Sequence, residues 1–333
     1  MRQRLRVRNA IVVVSVVLLS TLAGLLIAEI VVRLSGLAPE IFAVQKGRFQ
    51  ISENPLIGYE LVPHFESDRA GSMLDFRGKA NSLGFRDREH AVEKPEGVFR
   101  MLVIGDSVTQ GLGVRDDEAV FTSVLERELN ERPDGRVEVL NFGVSGYNTQ
   151  QEVETLRHKG VDYEPDLVIL AYCSNDTRLH SGGILPQLSG ERNKLDRPPR
   201  ILLSSALFRL VYARLASPAM SERDLFPEIK KNTVARYLDV LANLSRRVRF
   251  DVLIVSFPRL DGHVDEGSER DFNLLQEAAG RHGFHFFDLA DAFAGCAADG
   301  KIAWDPIHPN AEGHRCAGEA IADYADSRRI IRR

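Results

Sequence analysis

The chain has 333 residues, 44% hydrophobic and 27% charged, with 26 glycines, 14 prolines and three cysteines. This composition excludes a wholly disordered, collagen-like or disulfide-stapled chain, and the length suits one large or two ordinary domains. The formal net charge is −4, but residues 1–33 carry five arginines against Glu29, a net +4, which leaves the body at −8. An acidic body argues against nucleic acid as the main partner, because phosphate binding needs a cationic surface.

Residues 1–9 form a basic tail with Arg2, Arg4, Arg6 and Arg8. Residues 10–32 read AIVVVSVVLLSTLAGLLIAEIVV, apolar except for small polar residues and Glu29. At about 1.5 Å per residue this stretch covers about 34 Å, enough to cross a bilayer core. Arginines before it and acidic sequence after it predict a cytoplasmic N-terminus, with the body exported beyond the inner membrane. The competing reading is a cleaved signal peptide. Its apolar core is normally about 7–15 residues and ends at an A-x-A-like site; Leu26-Ile27-Ala28-Glu29 matches poorly. A retained single-pass anchor is therefore the expectation. Cys173, Cys296 and Cys316 match no zinc spacing; in an oxidising compartment Cys296 and Cys316 are free to pair, while Cys173 reads as a buried thiol.

Residues 33–97 are rich in Gly, Pro, Asn and charge, with short alternating patches such as Tyr59-Glu60-Leu61-Val62, and read as an irregular, partly β connecting segment. From residue 98 apolar runs alternate with helical periodicity. Strands are predicted at Phe99–Ile104, Val137–Asn141, Leu167–Tyr172, Asp251–Ser256 and Phe284–Phe287, and helices over 118–131, 149–160, 226–248, 269–282 and 310–325. Five strands alternating with helices imply an α/β domain over 98–333, with a parallel sheet covered on both faces. Functional loops then belong at the strands' C-terminal ends. Residues 178–224 interrupt the alternation as an insertion. In it, Phe208, Leu210, Val211 and Leu215 either pack against the domain or line an acyl or glycan pocket.

The first predicted strand ends in Gly105-Asp106-Ser107-Val108-Thr109-Gln110-Gly111. Neither phosphate-binding spacing is present, neither G-x-G-x-x-G nor G-x-x-x-x-G-K-[ST]. What remains is a serine at a strand-to-turn junction, either a helix cap or a nucleophile. The second strand runs into Asn141-Phe142-Gly143-Val144-Ser145-Gly146, where Gly143 permits close backbone approach to a ligand. The third ends in Ser174-Asn175-Asp176; Asn175 reads as a turn residue or an amide donor. Near the C-terminus Trp304-Asp305-Pro306-Ile307-His308-Pro309-Asn310 places an aspartate three residues before a histidine in a proline-stiffened loop. Elsewhere His282, His285 and Asp288 suggest a metal site only weakly, and Phe284, Phe286 and Phe287 read as core. No cofactor or metal is expected.

These four segments together resemble the SGNH/GDSL hydrolases over roughly residues 98–326. Asn81-Ser82-Leu83-Gly84-Phe85-Arg86-Asp87 also looks like a segment that precedes the core in membrane-anchored bacterial members. The resemblance implies a three-layer αβα, flavodoxin-like fold with a five-stranded parallel sheet. It implies a triad of Ser107, His308 and Asp305, and an oxyanion hole made by the Ser107 and Gly143 N–H groups and the Asn175 amide. Asp106 is then a structural residue of the turn. The function implied is a serine esterase acting on O-acyl groups of carbohydrate, or on lipid or other esters, on the periplasmic side. Alternatives are O-acetyl transfer to an exported polysaccharide and, from another class, a non-catalytic glycan-binding protein.

Overall fold

Arg2–Ser35 form a single helix, α1, whose Val12–Ser35 stretch is long and apolar enough to cross a membrane, with mean hydropathy 2.3. The computed structural model describes residues 2–35, 48–67, 78–133, 136–174, 176, 202, 204–215, 233–262 and 266–331. Packing divides the chain into two units, Met1–Ala43 with Ser189–Ser221, and Val44–Leu188 with Glu222–Arg333.

The larger unit begins with two short antiparallel pairs, β1 (Phe49–Ile51) with β2 (Tyr59–Leu61), and β3 (Glu66–Ser67) with β4 (Gly78–Lys79). Then come β5 (Phe99–Gly105), α2 (Ser107–Gln110), α3 (Phe121–Asn130), β6 (Val137–Gly143), α4 (Thr149–Thr155) and β7 (Leu167–Cys173). The insertion contributes α5 (Ala206–Leu215) to the smaller unit. The remainder is α6 (Val234–Val248), β8 (Asp251–Phe257), α7 (Glu266–His282), β9 (His285–Asp288), α8 (Ala290–Asp299) and α9 (Ala311–Ser327).

The five longer strands form one parallel sheet in the order β6-β5-β7-β8-β9. Successive residues of each strand feed opposite layers, which explains the unbroken apolar runs. Leu102, Ile104, Val168 and Leu170 pack with α4, α6 and α7 on one face. Met101, Val103, Leu167 and Ile169 pack with α3, α8 and α9 on the other. The connecting segment joins the first layer, since Phe49, Ile57, Tyr59, Leu61 and Phe85 are buried in it. The strand order reverses beside β5, whose neighbours are β6 on one side and β7 on the other. The crevice at such a switch point is where ligands bind in open α/β sheets, and the Ser107 turn opens there.

Several boundaries differ from the sequence reading. The helix predicted over 118–131 is a 3₁₀ turn, Asp117–Ala119, then α3, separated by the extended backbone of Val120. The helix over 149–160 loosens after Thr155 into a wider turn at Leu156–Gly160, where a Cβ on Gly160 would stand 2.8 Å from Leu102 Cδ1. The helix over 226–248 is described only from Val234. α8 is not anticipated from the sequence, because Leu289 at its N-cap position has no capping side chain and the helix carries no clear amphipathic period; Asp288 Oδ1 accepts the Ala290 N–H instead (3.3 Å). Cys296 on α8 and Cys316 on α9 form a disulfide, with Cα atoms 6.5 Å apart, and Cys173 is a buried free thiol.

Candidate active site

Ser107 is the first residue of α2, a single turn between the end of β5 and Gly111. Asp106 caps it by accepting the Val108 N–H (2.9 Å), and Gly111 ends it in the left-handed region at φ +76. Asp106 is thus the structural residue that the sequence suggested. On the far side of the crevice the histidine loop folds on itself. Ala303 pairs with Pro309, Trp304 N–H donates to His308 O (2.9 Å), and Asn310 caps α9 through the Gly313 N–H (3.0 Å).

The two pieces meet. Ser107 Oγ lies 2.9 Å from His308 Nε2, and His308 Nδ1 lies 2.7 Å from Asp305 Oδ2. Asp305 Oδ1 accepts the N–H groups of Ile307 and His308, each at 2.8 Å. Burial by itself would raise the Asp305 pKa, but the His308 hydrogen bond and charge, with the two N–H donors, bring it down to about 2. An ionised Asp305 only accepts, so the proton rests on Nδ1, and Nε2 is left to accept from the Ser107 hydroxyl. That hydroxyl also lies 3.3 Å from Asp106 Oδ2, the longer of its two contacts.

Gly143 stands at the end of β6, in register with Gly105. Its glycine identity has a packing cause: a Cβ there would fall 2.3 Å from Gln110 N and 2.6 Å from Thr109 C. The Gly143 N–H is engaged, donating to Asn141 Oδ1 at 2.9 Å. Asn175 lies outside the described residues, and its neighbour Asp176 is buried beneath Thr149, whose hydroxyl reaches it at 3.5 Å.

A supporting network reaches the Ser107 turn from afar. Arg86, from the upstream Asn81–Asp87 segment, is 3% exposed; its Nη1 donates to Gly111 O (2.6 Å) and Gln110 O (3.3 Å), and its Nε to Asp117 (2.6 Å). Arg48 Nη2 donates to Gln110 Oε1 (2.9 Å), which also accepts from Ser145 N–H (3.2 Å) and the Ser145 hydroxyl. Asn141 Nδ2 bonds Thr109 O (2.8 Å), and Asp87 accepts the Asn141 N–H (2.8 Å). Arg48, Gln110 and Asn141 were not singled out from the sequence. For Asn141 a signal existed, an asparagine two residues before a glycine whose N–H it can accept.

Behind the turn, Glu152 and Asp176 are fully buried, and burial first, then repulsion by Asp106 on Glu152 and by Glu152 and Asp106 on Asp176, pushes both carboxyls upward. Burial likewise raises the Cys173 thiol. Of the weaker candidates, His282 Nε2 pairs with Asp239 (2.8 Å), His285 lies on β9, Phe284 and Phe286 pack on one core layer, and Phe287 stacks on Tyr324 in the other. A cavity of about 610 Å³ opens at the carboxyl ends of β7, β8 and β9, with Phe257, Phe272, Phe293, Asp271 and Asp288 in its walls. Leu260, another of its residues, donates its N–H to Pro306 O of the histidine loop (2.8 Å).

The family described as "GDSL-like Lipase/Acylhydrolase family" matches residues 103–316. No curated protein sequence matches the chain. Among solved structures, LAE5, an alpha/beta hydrolase from the metagenome of Lake Arreo, Spain, is 19% identical over 70% of this chain and 96% of its own, with TM-score 0.46. A two-domain esterase, CEX, active on acetylated mannans, is 14% identical over 69% of this chain and 49% of its own (TM-score 0.46). Axe2, an acetylxylan esterase from Geobacillus stearothermophilus, is 16% identical over 67% and 92% (TM-score 0.45). The protein described above is a member of the GDSL-like lipase/acylhydrolase family, a hydrolase that acts on ester bonds.

Proposed function

We propose that the protein is a serine esterase that removes O-acyl groups from carbohydrate on the outer face of the inner membrane, to which α1 anchors it. The observation that carries the catalytic part is the relay Ser107 Oγ–His308 Nε2 at 2.9 Å and His308 Nδ1–Asp305 at 2.7 Å. In this reading Ser107 Oγ attacks the ester carbonyl while Nε2 takes its proton, and the resulting imidazolium is stabilised by ionised Asp305. His308 then returns the proton to the leaving alcohol, and water repeats the sequence on the acyl-enzyme. The Ser107 N–H, in the first turn of α2 where donors lack helical partners, faces the developing oxyanion together with Gly143 N–H and the Asn175 amide. The Gly143 N–H exchanges Asn141 Oδ1 for the oxyanion in that step.

Carbohydrate as substrate is supported by the cavity beside the histidine loop. Aromatic rings suit sugar faces, and the carboxylates of Asp271 and Asp288 suit hydroxyl donors. An outward-facing body is supported by the arginines that precede α1 and by the Cys296–Cys316 disulfide, which persists in oxidising compartments. A retained anchor is supported by Glu29 of α1, whose carboxylate is bonded to the start of α5; a segment destined for removal has no need of such partners.

The test is labelling of the detergent-solubilised full chain with a serine-directed phosphonate. Labelling at Ser107 that is lost in Ser107→Ala is expected, and equal labelling of the two overturns the assignment. Acetylated glycans and short- and long-chain esters, with and without an acceptor sugar, then separate deacetylation from lipolysis and from transfer.

A further inference from the structure

Glu29 is the lone acidic residue between Val12 and Ser35. A carboxylate inside an apolar span is costly unless it is partnered, and such groups mark function. Here the partners come from the insertion. Glu29 Oε2 accepts from Ser205 Oγ (2.7 Å) and Leu207 N–H (2.8 Å), and Oε1 accepts from Ala206 N–H (2.8 Å) and Arg33 Nε (2.5 Å). Arg33 Nη2 also donates to Ser204 O (2.7 Å). The next N–H of α5, that of Phe208, goes to Ser205 Oγ (3.0 Å). The opening N–H groups of a helix require acceptors and its dipole favours an anion there. Glu29, some 180 residues away in sequence, supplies both functions.

This joint fixes a depth. Glu29 is six residues before the end of α1, about 9 Å along its axis, which puts the start of α5 at the boundary between acyl chains and headgroups. α5 has ten residues, ALFRLVYARL, and spans about 15 Å. That is too short to cross a bilayer, and a helix mixing Leu207, Phe208, Leu210 and Val211 with two arginines suits the interface. Val211 and, just upstream, Leu202 are exposed, at 45% and 42%, as are Leu26, Ile30 and Leu34 of α1. From this we propose that α5 lies in the outer interfacial layer of the membrane, with phospholipid as its partner, pinned there by Glu29. The proposal rests on α1 being a retained span. It makes α5 a membrane contact in addition to α1.

The test uses the full chain in phosphatidylcholine–phosphatidylglycerol vesicles, with an environment-sensitive fluorophore on a single introduced cysteine in a Cys173→Ser background. Val211→Cys reports on α5 and Ile30→Cys on the span. The proposal expects doxyl-labelled lipids to quench both fluorophores at least twofold. In Glu29→Ala the Val211 quenching should fall by more than half while the Ile30 quenching stays, which also shows that the variant still inserts. Quenching at Ile30 without quenching at Val211 overturns the proposal and leaves the anchor standing. If the Val211 fluorophore is shielded from both lipid quencher and aqueous iodide, protein and not lipid covers α5, and the proposal is again overturned. Quenching at neither position overturns the anchor as well. Full Val211 quenching in Glu29→Ala overturns the pinning role.

Discussion

The Ser107 turn and the histidine loop meet where Ser107 Oγ approaches His308 Nε2, yet they are built in opposite ways. The histidine loop is held mainly from within residues 301–313, through Asp305 to Ile307 and His308, Trp304 to His308, Ala303 to Pro309 and Asn310 to Gly313. The Ser107 turn is held from a distance. Arg86 lies 25 residues before Gly111, Asn141 lies 32 after Thr109, and Arg48 lies 62 before Gln110. A loop tied to itself keeps its geometry wherever it is carried. A turn tied to three other segments is correct only when the whole domain, the connecting segment included, has folded. The family match begins at residue 103, so it omits Arg48, Arg86 and Asp87, which the turn relies on.

The largest expected effect strikes the self-held loop. Asp305→Asn keeps the acceptor for the Ile307 and His308 N–H groups but can present an amide N–H to Nδ1 and so favour the wrong imidazole tautomer. Turnover should fall about 10³–10⁴-fold with little change in binding of a non-reacting analogue. A residue that merely capped the turn would tolerate asparagine, so near-normal turnover in steady-state assays would break the Asp305 assignment.

The turn held from afar should respond more gently and through different parameters. Arg86→Lys keeps the charge but loses the fork that reaches Gly111 O, Gln110 O and Asp117 together. A small displacement of Ser107 then lowers kcat about 10-fold to 10²-fold with KM little changed. Phosphonate labelling of Ser107 should slow in parallel. Gly143→Ala should do at least as much, because its Cβ would press on Gln110 N. If Arg86→Lys loses stability alone, with kcat per folded molecule intact, the long-range support is structural only.

That contrast also explains what was legible in the sequence. Ser107, Asp305 and His308 stand in segments whose local order announces them, and the five strands follow from apolar runs that feed two layers. The ends of the helices were harder, as at Val120 and Thr155, where tertiary packing overrides the periodicity. α8 is not announced because Leu289, at its N-cap position, carries no capping side chain. The network around Gln110 was invisible for a stronger reason, since buried polar side chains become partners only once the fold brings β6, α2 and the connecting segment together.

A smaller effect concerns the end of the histidine loop that continues into α9. The Cys296–Cys316 bridge closes a loop of 20 residues, for which removal costs about 3 kcal/mol of stability. Because Asn310 and the Ala303–Pro309 pair hold the loop independently, the double alanine variant should unfold at lower denaturant with kcat unchanged. A fall in kcat as well would show that α8 and α9 also position His308.

The smallest effect compares the carboxyls of the two regions by the sign of their response to pH. Asp305 has a folded-state pKa of about 2, below the ordinary 3.8, so its ionised form stabilises the native state above about pH 4. That contribution is lost as pH falls from about 4 through 2, and Asp305→Asn should flatten this part of the stability profile. Glu152 and Asp176, behind the Ser107 turn, are shifted upward, chiefly by burial. The native state there keeps protons that the unfolded chain releases, so their contribution is present in acid and declines as pH rises above about 4. Among the described residues neither buried Glu152 oxygen has a hydrogen-bond partner, so ionising Glu152 costs the native state directly. Glu152→Gln should therefore gain stability relative to wild type as pH is raised from 4 to 8, while Asp305→Asn converges on wild type as pH is lowered to 2. Chemical denaturation at intervals of one pH unit checks both. A Glu152→Gln difference that does not grow with pH would mean that the carboxyl is already ionised in the folded protein, and a protonated Glu152 behind the Ser107 turn would then be wrong.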